Sequence, residues 1–228
     1  MEKLSSYPAE MQSQSWNQLL VLRLALYIVS AAIFGLIFFG YPTSSHSSDS
    51  YTYSIPDITE NYVEHIVSSI TKNKSESKAL AKHIVDEARA GGYDPLFIAS
   101  VVKAESTFNP MARSNRGALG LMQILPDTGK YISGKISQVN WNGIQALTKP
   151  GYNLKLGIGY LKYLEKYFGN NREHVLIAYN WGPANLKRAL KANGSIAKGP
   201  KAYADKILST YKLWKEKTYI DANHERLA

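Results

Sequence analysis

From residue 58 onward, apolar positions recur at the spacing of an α-helix. Tyr62, Val63, Ile66, Val67 and Ile70 line one face, and Leu80, Ala81, Ile84, Val85 and Ala88 line a second that Gly91-Gly92 stops. Asp94-Pro95 then offers an N-cap followed by proline in the first helical position. Residues 152–168 predict a longer helix ended by Gly169-Asn170, and residues 173–179 a short one running into Trp181-Gly182-Pro183. Residues 184–190 and 202–215 predict the last two. No alternating stretch of useful strand length interrupts the series, so the fold class is all-α.

Upstream the pattern is different. Residues 19–39 are apolar apart from Arg23, Ser30 and small residues. As a helix this run spans roughly 32 Å, close to a hydrocarbon core of about 30 Å. Arg23 lies near its start, where a long cationic side chain reaches the interface. A cleaved signal peptide is the competing reading. Its apolar core is usually about 7–15 residues, however, and Gly40-Tyr41-Pro42-Thr43 is a poor cleavage site. A retained transmembrane anchor over residues 19–41 is therefore favoured. Lys3 and Arg23 flank its N-terminal side, whereas Asp49, Asp57 and Glu60 follow it with no Lys or Arg nearby. That bias puts residues 1–18 in the cytoplasm and the domain on the extracytoplasmic side of the cytoplasmic membrane. Residues 42–57, rich in Ser, Thr and Tyr, read as a flexible tether. The helical domain takes residues 58–217, and residues 218–228 form a tail.

Composition narrows the partners. The 228 residues suffice for one domain with a core and are too few for two large ones. Lys and Arg number 27 against 18 Asp and Glu, a formal net charge of +9. A basic surface attracts any polyanion. The cations are scattered, without a dense run or a nucleic-acid motif, so no nucleic-acid partner is expected. The lack of cysteine removes disulfides, thiol catalysis, zinc–thiolate sites and a lipid-modified cysteine anchor. His46, His65, His83, His174 and His224 show no metal-ligand spacing, and neither a metal nor another cofactor is expected. The 16 tyrosines suit sugar-lined clefts, and they equally suit ordinary half-buried positions.

One charge breaks the pattern. In the helix that starts at Pro95, the apolar stripe runs Ile98, Val101, Val102, and its next member is Glu105. A carboxyl projecting from the buried-facing side loses solvent, which raises its pKa by disfavouring the charged form. The negative end of the helix dipole pushes the same way, but by only about 0.3–1 kcal/mol. Burial shifts a carboxyl by up to roughly 3–5 pKa units, so burial must dominate if Glu105 is to serve as a general acid near neutral pH. Periodicity alone leaves a second reading equally open: a glutamate at a helix end, paired with Lys103 or Arg113 or simply solvated.

The residues that follow tip that balance. Glu105-Ser106-Thr107-Phe108-Asn109-Pro110 is succeeded by Ala112, Ser114, then Gly117-Ala118-Leu119-Gly120-Leu121-Met122-Gln123-Ile124-Leu125-Pro126 and Thr128. This resembles the signature of the soluble-lytic-transglycosylase (SLT) family of peptidoglycan-cleaving enzymes. Ala178-Tyr179-Asn180-Trp181-Gly182-Pro183 is similar to the family's aromatic-asparagine-glycine block, and Tyr203-Ala204-Asp205-Lys206-Ile207 to its closing tyrosine helix. The resemblance covers roughly residues 58–217. Thr107 stands where the family often has glycine, and Trp181 where it often has alanine.

The resemblance implies a lysozyme-like helical domain whose cleft binds peptidoglycan glycan strands of alternating N-acetylglucosamine and N-acetylmuramic acid. It implies that Glu105 is the single acid/base: acid toward the β-1,4 oxygen, then base toward the muramic C6 hydroxyl, which closes a 1,6-anhydro ring without water. One carboxylate suffices where the sugar's own N-acetyl group stabilises the cationic centre. It further implies substrate contacts from Ser106, Gly120, Met122, Gln123, Tyr179, Asn180 and Tyr203. Among these, Tyr179 is the strongest second candidate, with a hydroxyl able to hold Glu105 or the sugar. Met122 serves equally well as core filling, Asn180 as a turn residue and Ser106 as a helix-end cap. Two other functions stay open. One is a lysozyme-type hydrolase using Asp127 or Asp205 as base. The other is a non-catalytic wall-binding scaffold serving a cell-envelope complex.

Overall fold

The computed structural model describes residues 55–71, 73–136, 139–192 and 196–227. The expected cytoplasmic segment and anchor, and nearly all of the tether, lie outside these residues. Among the described residues eight α-helices follow in order: α1 (Ile55–Ile70), α2 (Lys74–Ala90), α3 (Pro95–Ser106), α4 (Pro126–Ser133), α5 (Pro150–Phe168), α6 (Arg172–Trp181), α7 (Pro183–Lys191) and α8 (Lys198–Leu227). A short 3-10 helix, Ile144–Thr148, precedes α5. Among the described residues there is no strand, only isolated bridges joining Arg113 to Leu119 and Leu119 to Ile124. The domain is all-helical, as its periodicity predicts.

The helix starts follow capping chemistry. Asn73 accepts from the Ser75 and Glu76 amides, Asp94 from the Leu96 amide at 2.9 Å, and Asn171 from the His174 amide at 3.0 Å. Each side chain satisfies amides that the first helical turn leaves unpaired. Proline opens α3, α4, α5 and α7, where its missing amide costs nothing.

The centre of the fold is α3. Every residue from Pro95 to Val102 is buried, so this helix is apolar on all sides and not along one stripe. It packs against α8, with α1 and α2 also on it, while α6 packs between α5 and α8. Two elements escape the sequence pattern, α4 and the 3-10 helix, both too short to establish a period. The last helix, expected over residues 202–215, extends from Lys198 through the residues assigned to the tail. The first begins at Ile55, slightly inside the expected tether. Among the described residues no helix is long and apolar enough to cross a membrane.

Candidate active site

Glu105 sits in the last turn of α3, and the backbone beyond it is bent sharply. Thr107 and Phe108 both take left-handed φ values, 52° and 61°. Left-handed backbone costs a non-glycine residue roughly 1–2 kcal/mol. Phe108 is 1% exposed, and burying such a ring contributes about 1.5–3 kcal/mol, enough to offset its own strain. The turn therefore holds although neither position is glycine.

The loop that follows returns the chain beneath α5. Gly120 has φ +77°, and a side chain there would collide with the Leu147 carbonyl and with Asn153. Asn153 itself is fully buried. Its Oδ1 accepts from the Met122 amide at 2.7 Å, and its Nδ2 donates to the Leu119 and Leu147 carbonyls at 2.9 and 2.8 Å. Three bonds satisfy a buried amide and tie the loop, the 3-10 helix and α5 together. Gln123, at φ 47°, donates through Nε2 to the Ala112 and Gly120 carbonyls, closing the loop from within.

Two tyrosines complete the surroundings of Glu105. The Tyr203 hydroxyl, from α8, donates to Glu105 Oε1 at 2.5 Å. The Tyr179 hydroxyl, from α6, donates at 2.8 Å to the Met122 carbonyl. The partner of Glu105 is thus Tyr203, and the Tyr179 hydroxyl is engaged by the loop. Burial pushes the Glu105 carboxyl up to about 7 from an ordinary 4.5, and the Tyr203 hydrogen bond pulls in the opposite direction. Burial and the adjacent Glu105 charge hold both tyrosines well above their usual range, so near neutral pH they act as hydrogen-bond donors.

The remaining residues singled out in the sequence divide. Gly120 and Gln123 belong to the loop beside the site, and both have structural duties there. The Met122 side chain is fully buried against Gly157, so it is core filling, and its backbone carries its link to the site. Ser106 donates back to the Val102 carbonyl at 3.1 Å and does not bond Glu105. Asn180 is exposed on α6. Asp127 and Asp205, the aspartates a hydrolytic base would draw on, are both exposed. Asn153 and Tyr160 also belong to the surroundings of the site. Asn153 is detectable, because it occupies the buried stripe of α5 with Gly157, Leu161 and Leu164, as Glu105 occupies that of α3. The Tyr160 ring lies 5.1 Å from that of Tyr179, a contact that no local pattern encodes.

The arrangement is a single desolvated carboxyl, protonated well above its ordinary range, facing neutral phenols. Such a group gives up a proton and takes one back near pH 7. Comparisons with known proteins show the family. The family model described as "Transglycosylase SLT domain" matches residues 83–200, just over half of the chain. The soluble lytic murein transglycosylase of Salmonella typhimurium is 38% identical over 88 residues, 39% of this chain and 14% of the relative. The endo-type membrane-bound lytic murein transglycosylase A of Klebsiella pneumoniae is 33% identical over 116 residues, 46% of this chain and 55% of the relative. The solved structure of an inactive mutant of lytic transglycosylase Slt from Pseudomonas aeruginosa superposes with a TM-score of 0.55 at 24% identity. That match covers 73% of this chain and 31% of the other, and it shows the shared fold. The chain spans only a small part of the soluble relatives it matches.

Proposed function

The chain belongs to the transglycosylase SLT domain family, and we propose that it cleaves the β-1,4 bond between N-acetylmuramic acid and N-acetylglucosamine in peptidoglycan. The observation that carries this reading is the Glu105 carboxyl, desolvated and held by Tyr203. In the first step, protonated Glu105 gives its proton to the glycosidic oxygen as the bond to muramic C1 breaks. The sugar's N-acetyl oxygen shares the positive charge at C1. In the second step the Glu105 carboxylate takes the proton of the muramic C6 hydroxyl while O6 bonds to C1. The ring closes as a 1,6-anhydro product, Glu105 is again protonated, and no water is consumed.

Tyr203 positions the carboxyl in this scheme, and the loop held by Asn153, Gln123 and Tyr179 forms one wall of the cleft. Residues 19–41 tether the domain to the cytoplasmic membrane, with the catalytic part on its outer side. The apolar run itself supports the tether, as does the membrane-bound description of the Klebsiella relative. Mass analysis of a peptidoglycan digest tests the chemistry, because an anhydro end is lighter than a hydrolysed one by one water. Reducing muramic ends alone would favour the lysozyme-type hydrolase. Sacculi left intact by both the parent protein and Glu105→Gln would favour the scaffold.

A further inference from the structure

Helix α7 packs onto α6 and leaves an apolar flank uncovered. Leu186 is fully buried beneath it, but Leu190, one turn further on, is 41% exposed. Across from it, at the end of α5, Tyr167 is 59% exposed and Phe168 is half-buried. Together with Tyr163 these side chains line a groove of about 460 Å³ between α5 and α7. Such residues scattered singly over a surface need no explanation, whereas a cluster of them marks an interaction surface.

The rim of the groove carries one sign of charge. Lys187 and Lys191 line it, and no lining residue is acidic. Helix α7 adds a third cation, Arg188, and contains no carboxylate. The one carboxylate of α5, Glu165, acts on Tyr93, which lies outside the groove. Neither Lys187 nor Lys191 has an ion-pair partner among the described residues.

An apolar and aromatic surface ringed by unpaired cations matches the boundary of an anionic bilayer. Leucine and aromatic rings enter between the headgroups, and the lysines meet the phosphates. A neutral glycan gains little from the ammonium groups. A bilayer is also within reach, because residues 42–54, between the proposed anchor and α1, span at most about 45 Å even when fully extended.

We propose that the groove between α5 and α7 docks on an anionic lipid surface, so that the domain is held to the bilayer by its own face as well as by its tether. The inference rests on the proposed anchor for the nearness of that surface. The Tyr163 ring lies 6.2 Å from Tyr160, which lies 5.1 Å from Tyr179, so docking also fixes how the cleft is turned toward the bilayer.

The test uses the full chain, which has no cysteine of its own. Ala184→Cys, in the groove, or Ser75→Cys, at the start of α2, supplies a single thiol for an environment-sensitive fluorophore. A spin-labelled lipid in the vesicles is the quencher. In phosphatidylglycerol vesicles at low salt, the label at position 184 is quenched more strongly than the label at position 75. Lys187→Gln with Lys191→Gln is expected to weaken docking about thirtyfold, at roughly fivefold for each lysine. Phosphatidylcholine vesicles or high salt weaken it in the same direction, and Lys187→Arg with Lys191→Arg restores it. Equal quenching at the two positions, or quenching at position 184 that ignores the lysines and the lipid charge, overturns the proposal. So does a response at position 184 that grows with protein density in phosphatidylcholine vesicles, the mark of a second copy. Flotation in high salt reads the tether alone. A chain that then leaves the vesicles contradicts the anchor, while the low-salt quenching still decides the docking.

Discussion

Two carboxylates occupy opposite ends of α3, and α8 reaches both with a tyrosine. Asp94 at the N-terminus accepts from the Leu96 amide, from the Tyr211 hydroxyl at 2.9 Å and from Lys215 at 3.0 Å. Glu105 at the C-terminus accepts, among the described residues, from Tyr203 alone. Asp94 thus sits at a helix N-terminus among three donors, one of them a cation. Glu105 has a phenol, a helix C-terminus and an apolar surround, and its pKa rises to about 7. The same functional group on one helix is a structural anchor at one end and, in the proposed mechanism, a proton carrier at the other. The difference lies in the donors supplied, not in the residue.

Four substitutions or titrations probe that contrast, from the largest effect down. Glu105→Gln removes the proposed proton carrier, and release of soluble products from sacculi is expected to fall at least ~1,000-fold, about 4 kcal/mol. Residual activity within tenfold of the parent would end the acid/base assignment. Asp94→Ala should cost about 2 kcal/mol in urea unfolding, through loss of the cap and of two side-chain partners. Its turnover per folded molecule should stay within about twofold of the parent. A variant that stays stable but loses turnover would show that the two ends are not functionally distinct.

Tyr203→Phe tests the link between helices. Turnover should drop about tenfold, near 1.4 kcal/mol. The donor favours the charged carboxylate, so its loss moves the alkaline limb of the rate profile to higher pH. A merely structural tyrosine would lower activity without moving that limb.

The smallest effect is on stability. The Glu105 pKa is raised on folding, so between 4.5 and about 7 the unfolded chain ionises while the folded one stays protonated. Stability is therefore lost as pH rises through that window. Glu105→Gln abolishes the loss, and its stability advantage over the parent should grow by about 1 kcal/mol from pH 4 to pH 8, after allowing for solvent screening of a partly buried group. An advantage that does not change with pH would contradict a desolvated Glu105.

The contrast between the two carboxylates was partly legible in the sequence. Asp94-Pro95 marks a helix start by local chemistry, and Glu105 stands out because a charge interrupts an apolar stripe. The partners were not legible in the same way. Tyr203 and Tyr211 lie about a hundred residues downstream, in a helix whose own period shows only which face is buried. The sequence pattern therefore favours Tyr179 as the partner of Glu105, whereas its hydroxyl bonds the Met122 carbonyl. The loop itself depends on Asn153, whose bonds to Met122 and Leu119 span more than thirty residues. Short elements were missed for a simpler reason. Helix α4 has eight residues and the 3-10 helix five, barely a turn or two in which to display periodicity.

In the proposed mechanism one desolvated carboxyl, Glu105, carries the proton both ways. The pH dependence of kcat/KM on purified glycan strands tests it most directly, since it reports the acid of the free enzyme. The expected profile falls on its alkaline side with a midpoint near 7. A midpoint near 4.5, the ordinary value for a solvated glutamate, would contradict the account.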